Sequence, residues 1–279
     1  MNSKTTLELE PPCLTEGRFA SIPVLTDERL FERTGVRIAF TGRAGGVSLP
    51  PYGSLNLGSH VGDDLSRVER NRSLLKAALG AEDAPLIVPN QVHGDVVVRV
   101  SDASEVPDAR ARAQEGCDAL LVETAGVAAL LCFADCMPVV IVSPSGRFAV
   151  VHAGWRGVMC EIAAKALREL SSADRQAGLP GDPASFNVYL GPHIRSECFE
   201  TSEEIHARFT EKFGGPCSAG YRHIDLSVAQ RTSLERSGAS SERIRDAEIC
   251  TVCNAEEYFS YRAQDGVCGR HGAFAFRAL

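Results

Sequence analysis

The chain has 279 residues, 44% hydrophobic and 23% charged, the make-up of a globular protein large enough for one big domain or two intimate subdomains. A formal net charge of −7 excludes the broad basic surface of a non-specific nucleic-acid binder, though not a small anionic substrate in a local basic pocket. No apolar run is long enough to span a bilayer and the N-terminus lacks the apolar stretch of a targeting signal, so a cytoplasmic protein without a membrane partner is expected.

In chain order, residues 1–20 are polar and contain proline, which predicts a flexible N-terminal extension ahead of a single domain over 21–279. Residues 36–41 read as a strand. A helix opens at Ser66, with Glu69 completing a capping box and Val68, Leu75, Ala78 and Leu79 forming its apolar stripe. Short apolar runs over 96–100, 119–122, 128–133, 139–142 and 148–152, punctuated by Gly, Pro and Ser, predict strands. Residues 160–170 read as an alanine-rich helix, and 171–185, rich in Gly, Pro, Ser and Ala, as a flexible loop. A strand at 187–190 precedes helices at 201–213, with a capping box from Thr201 to Glu204, and at 225–236. Strands over 243–250, 258–262 and 273–276 close the chain. Strands clustered in this way predict an α+β sandwich with mixed sheets inside and helices outside.

Three segments carry the chemistry. His93 lies in Asn90-Gln91-Val92-His93-Gly94, Cys136 in Asp135-Cys136-Met137-Pro138, and His152 in His152-Ala153-Gly154-Trp155-Arg156-Gly157. Each stands at the end of a predicted strand, where side chains from different strands converge. Two imidazoles and a thiolate suit tetrahedral zinc, and three protein ligands leave a fourth position open for water or substrate. The same atoms admit a second chemistry, with Cys136 as nucleophile and His152 as its base. Of the ten cysteines, none falls into the dense spacing of a secreted scaffold, so a reducing compartment is expected. Cys250 and Cys253 form a CxxC pair with no second CxxC to complete a zinc site, and read as structural.

Two loops invite an anion. Thr41-Gly42-Arg43-Ala44-Gly45-Gly46-Val47-Ser48 combines glycines with the planar fork of Arg43. Gly154-Trp155-Arg156-Gly157 leads toward the helix at Cys160, whose N-terminus favours negative charge, with Trp155 available to stack on a flat base. His193, in Gly191-Pro192-His193 after a strand, is a further candidate for the same cleft, and Asp63 and Asp64 read as turn acids.

These motifs together (TGRAGGVS, YGSLNLGSHVGDD, NQVHG, ADCMPVVI, VHAGWRG, LGPHI and CTVC followed by YFSYRAQDGVCGR) resemble the YfiH/YlmD-type family, also known as laccase-domain or multicopper polyphenol oxidase proteins. The resemblance covers residues 35–277. It implies an α/β/β/α layered sandwich and a metal, zinc or else copper, on His93, Cys136 and His152. It implies phosphorolysis of adenosine, inosine, guanosine and methylthioadenosine, with deamination of adenosine. The expected partners are then purine nucleosides and phosphate, with Arg43, Arg156 and His193 at the phosphate and Cys136, His152 and Arg43 acting in catalysis. An amidase or cysteine-type hydrolase that edits cell-wall nucleotide precursors is the alternative the family also carries. Copper-dependent phenol oxidation is the weaker one, since one His₂Cys trio cannot make a multi-copper set. Ala263 departs from the family, which often has a second basic residue there. Nothing in the sequence fixes an oligomeric state.

Overall fold

Runs of residues that are apolar on both faces need cover on both faces. The computed structural model, which describes residues 8–279, supplies it in four layers. The first mixed sheet has six strands in the order β1 (Thr15–Phe19), β2 (Ile22–Thr26), β3 (Val36–Thr41), β12 (His271–Arg277), β7 (Ala128–Phe133) and β4 (Leu86–Ile87). The second runs β11 (Ile244–Asp246), β10 (Asn187–Leu190), β8 (Met137–Val142), β9 (Phe148–Ala153), β6 (Ala119–Val122) and β5 (Val97–Val100).

Alternation along the strands assigns each side chain to a layer. Ile38, Phe40, Leu131 and Ala273 of the first sheet meet Val140, Val142, Phe148 and Val150 of the second in the central core. The other face of the second sheet, with Val139, Ile141, Ala149 and Val151, packs on α5 (Ile162–Gln176), α6 (Glu203–Phe213) and α7 (Leu226–Arg236). The outer face of the first sheet, with Ala39, Ala128, Leu130 and Phe274, packs on α2 (Leu65–Ala78) through Leu75. The result is an α/β/β/α sandwich. Two short helices, α1 (Glu28–Thr34) and α4 (Trp155–Met159), and α3 (Val106–Gly116) complete the set. No helix among the described residues is long and apolar enough to cross a membrane.

Several local expectations are corrected. The polar lead-in is structured by Thr15, because Thr15–Phe19 pairs antiparallel with Ile22–Thr26; residues 1–7 lie outside the described ones. The loop expected over 171–185 is helical to Gln176, since Ser, Ala and Arg tolerate a helix and the breakers come later, at Gly178 and Pro180. Asp64, rather than Ser66, caps α2, its side chain accepting from Ser66 N, and Ser202, rather than Thr201, caps α6. Residues 258–262 form no strand. Two of their amides are captured by side chains, Ser260 N donating to Gln264 Oε1 and Arg262 N to Asp135 Oδ2, and Tyr258 N is taken by the turn carbonyl of Asn254, so no ladder forms. The strand expected over 243–250 shortens to Ile244–Asp246, after which Asp246 Oδ1 accepts from Glu248 N and turns the chain.

Candidate metal centre

The chain crosses from the first sheet to the second through Ala134, Asp135 and Cys136, between β7 and β8, and this places Cys136 at the rim between the layers. His152 lies on β9, which pairs with β8. His93 comes from the loop between β4 and β5. One donor atom from each of the three lies within 4.8 Å of the others, and Cys136 Sγ is 3.8 Å from His93 Nε2.

The His93 loop is held by two side chains. Gln91 pairs with β7 in both directions: Gln91 Nε2 donates to Cys132 O and Cys132 N donates to Gln91 Oε1, each at 2.8 Å. Asp118, fully buried just ahead of β6, receives four hydrogen bonds. Its Oδ2 accepts from Val92 N (3.2 Å) and Gly94 N (2.7 Å); its Oδ1 accepts from His93 N (3.0 Å) and His152 Nδ1 (2.7 Å). One carboxylate thus fixes the backbone of one imidazole and the tautomer of the other, leaving Nε2 of His152 for the cleft. Sequence reasoning missed Asp118, because a lone aspartate before a strand is most simply a turn acid.

One member of the trio, His93 at φ 61°, and one neighbour, Asp135 at φ 83°, adopt left-handed backbone. Asp135 is retained by its contacts: Oδ1 accepts from Thr251 Oγ1 and Oδ2 from Arg262 N, both at 2.7 Å. Gly154 follows for a steric reason, since a Cβ there would lie 2.9 Å from Cys136 Sγ and 3.0 Å from His93 Cδ2.

The charges are mutually supporting. Burial pushes the Cys136 thiol up, but contact with His152 and His93 outweighs it and holds the group down at about 6. Burial pushes His152 down, and the Cys136 thiolate and Asp118 overcome it, raising the imidazole to about 9. Burial raises Asp118, yet its bonds from His152, Gly94 and His93 leave it lowered. The sulfur is thus a thiolate near neutral pH, the form that binds a cation.

The trio opens into a cleft of about 430 Å³, also lined by His60, Trp155, Phe199, Tyr261, Arg262 and Arg270. The two arginines expected at a phosphate do not line this cleft. Arg43 donates to the carbonyls of Gly53 (3.0 Å) and Ala255 (2.7 Å) and lies over Phe259, off the cleft wall. The glycines around it serve close protein packing: a Cβ on Gly46 would lie 2.3 Å from Ser54 O. Arg156 is exposed over the face of Trp155, on a helix of only five residues. His193 is buried behind the wall, bonded to Gly191 O and Ser227 Oγ, and burial lowers its pKa. The cations that do line the cleft are Arg262 and Arg270; both fall in the YFSYRAQDGVCGR motif, but sequence reasoning gave neither of them a role at the phosphate.

A four-layer sandwich with an imidazole–thiol trio at its strand ends defines the class. The family described as multi-copper polyphenol oxidoreductase laccase matches residues 37–278. The purine nucleoside phosphorylase YlmD of Geobacillus stearothermophilus is 34% identical, over 87% of this chain and 90% of its own length. The purine nucleoside phosphorylase YfiH of Escherichia coli K12 is 35% identical, over 86% and 93%. Among solved structures, YfiH of Bacillus licheniformis superposes with a TM-score of 0.80 at 26% identity, over 93% of this chain and 98% of that one. The chain belongs to the YfiH/YlmD laccase-domain family.

Proposed function

We propose that this protein is a zinc-dependent purine nucleoside phosphorylase acting on adenosine, inosine, guanosine and methylthioadenosine. The observation that carries the reading is one thiol and two imidazoles meeting in a cleft whose walls also hold Arg262 and Arg270. The names of the relatives favour the same activity.

The donor set fits zinc. Bonds of about 2.0–2.1 Å to nitrogen and 2.3 Å to sulfur give a tetrahedral edge of about 3.6 Å, near the 3.8 Å between His93 Nε2 and Cys136 Sγ. When bound, the ion supplies a Lewis acid that polarises a substrate oxygen. Asp118 keeps the His152 proton on Nδ1. Arg262 and Arg270 hold phosphate. A phosphate oxygen forms a bond to the ribose C1′ as the bond from C1′ to the purine nitrogen breaks, the electron pair leaving with the base. Positive charge gathers on the sugar in the transition state, and the adjacent anion stabilises it. Trp155, Phe199 and Tyr261 offer flat apolar faces to the purine.

Metal analysis of the purified protein, with a nucleoside panel assayed with and without phosphate, tests this. His152→Ala is expected to lose zinc and phosphorolysis together. A metal-free His152→Ala protein with full phosphorolysis overturns the reading, and copper in place of zinc corrects the metal. Ammonia released from adenosine without phosphate is the readout for deamination in the same cleft. A second reading rests on the order Asp118–His152–Cys136, which is that of a thiol-hydrolase triad. Metal-free protein that cleaves a nucleotide-linked amide, and loses this with Cys136→Ser, would establish it instead.

A further inference from the structure

The CxxC pair does not stand alone. Cys198, from the segment after β10, reaches it across fifty residues of chain, and the sulfurs of Cys198, Cys250 and Cys253 lie within 4.8 Å of one another. Cys198 Sγ and Cys253 Sγ are 3.5 Å apart, and Glu197 Oε1 is 3.9 Å from Cys253 Sγ. The first trio shares no residue with this cluster.

We propose that Cys198, Cys250 and Cys253 form a second metal site, for a thiophilic d¹⁰ ion of the zinc class, with its fourth position filled by Glu197 or water. Zinc–sulfur bonds of about 2.3 Å set tetrahedral sulfur–sulfur edges of about 3.8 Å, close to the Cys198–Cys253 separation. A disulfide would use two of the sulfurs and give no reason for the third. The cluster grades from Cys250, buried, through Cys198 to Cys253, exposed, so an ion has a path in from solvent. Binding would release the thiol protons to solvent.

The site would clamp the cleft from behind. Next to Cys198, Phe199 lines the cleft, and Cys198 O accepts from Arg262 Nη1 at 3.0 Å. Between Cys250 and Cys253, Thr251 donates to Asp135, the neighbour of Cys136. One ion here joins the segment carrying Phe199 to the one carrying Thr251.

Elemental analysis of the full-length protein purified under reducing conditions gives the test. The wild type is expected to hold about two ions per chain, and Cys198→Ser/Cys253→Ser about half as many. The His93→Ala/Cys136→Ser variant isolates the second site. Loaded with Co²⁺, it is expected to keep strong thiolate-to-cobalt absorption, and adding Cys253→Ser, an exposed substitution that spares the fold, is expected to remove most of it. A wild type with one ion per chain, unchanged in the Cys198→Ser/Cys253→Ser variant, overturns the site. So does an intact mass showing Cys198 and Cys253 joined, two hydrogens lighter, in freshly purified protein. Neither result depends on nucleoside turnover.

Discussion

Replacing Asp118 by Asn tests how the trio is held. The carboxylate receives four N–H donors and, among the described residues, no other partner, so whichever oxygen becomes NH₂ faces two of them. At the Oδ2 position the new amide opposes Val92 N and Gly94 N. At the Oδ1 position it opposes His93 N, and it can satisfy His152 only by donating to Nδ1. That moves the imidazole proton to Nε2, the nitrogen the cleft needs free. Two charge-assisted bonds at about 1.5–3 kcal/mol each put the loss near 3–6 kcal/mol, and the relief of burying a neutral group trims it toward roughly 3 kcal/mol. Metal affinity is expected to fall about 10–100-fold, the range for a lost partner of a ligating histidine. Urea unfolding of metal-free protein reads the first quantity, and competition with a chelator reads the second. Unchanged affinity together with a stability loss below about 1 kcal/mol would refute the view that Asp118 positions the site.

The two arginine sets separate by assay. Arg43→Ala removes bonds to two half-buried carbonyls and is expected to cost about 2 kcal/mol of stability while leaving the phosphate KM unchanged; Arg270→Ala is expected to raise that KM at least about tenfold, and the reverse pattern would return phosphate to the glycine-rich loop. His271, fully buried between Phe133 and Tyr258, is pushed down to about 3 by burial and by Arg270. The unfolded chain takes up its proton near 6.5, so the unfolded state binds the extra proton between these values and stability falls as pH drops. The slope is about 1.4 kcal/mol per pH unit, or about 2 kcal/mol lost by pH 5. His271→Phe is expected to flatten the pH 7 to 5 profile of urea midpoints by this amount, and parallel profiles would refute the assignment.

The strands at 36–41, 119–122, 128–133 and 187–190 were legible to the residue because each is a mainly apolar or β-branched run, buried along its whole length inside a covered sheet. The edge hairpin β1–β2 was not, since one of its strands is half in solvent and carries polar residues. Nor was α3, whose arginines and early proline mask a stripe of Val106, Ala109 and Ala113. At the site, a Cys or His at a strand end declares itself by type. That Arg43 turns to the chain's own carbonyls was not legible, because a glycine-rich loop reads the same whether its close neighbour is a ligand or the protein itself. Asp118 and the third cysteine of the second cluster were invisible for the converse reason: each acts on residues far along the chain, and only the fold brings them there.

His93 is what separates the metal reading from the thiol-hydrolase reading. The order Asp118, His152, Cys136 serves either one, with the carboxylate orienting the imidazole and the imidazole beside the sulfur. A thiol hydrolase has no use for a second imidazole 3.8 Å from the same sulfur. Yet the protein holds one there in left-handed backbone, at φ 61°, a conformation that costs a non-glycine residue roughly 1–3 kcal/mol. It fixes that conformation with the same carboxylate that orients His152, and with a two-way bond from Gln91 to β7. It also keeps Gly154 free of the Cβ that would press on both His93 and Cys136. A cation with three ligands accounts for all of these features at once, whereas a triad accounts only for Asp118 and His152.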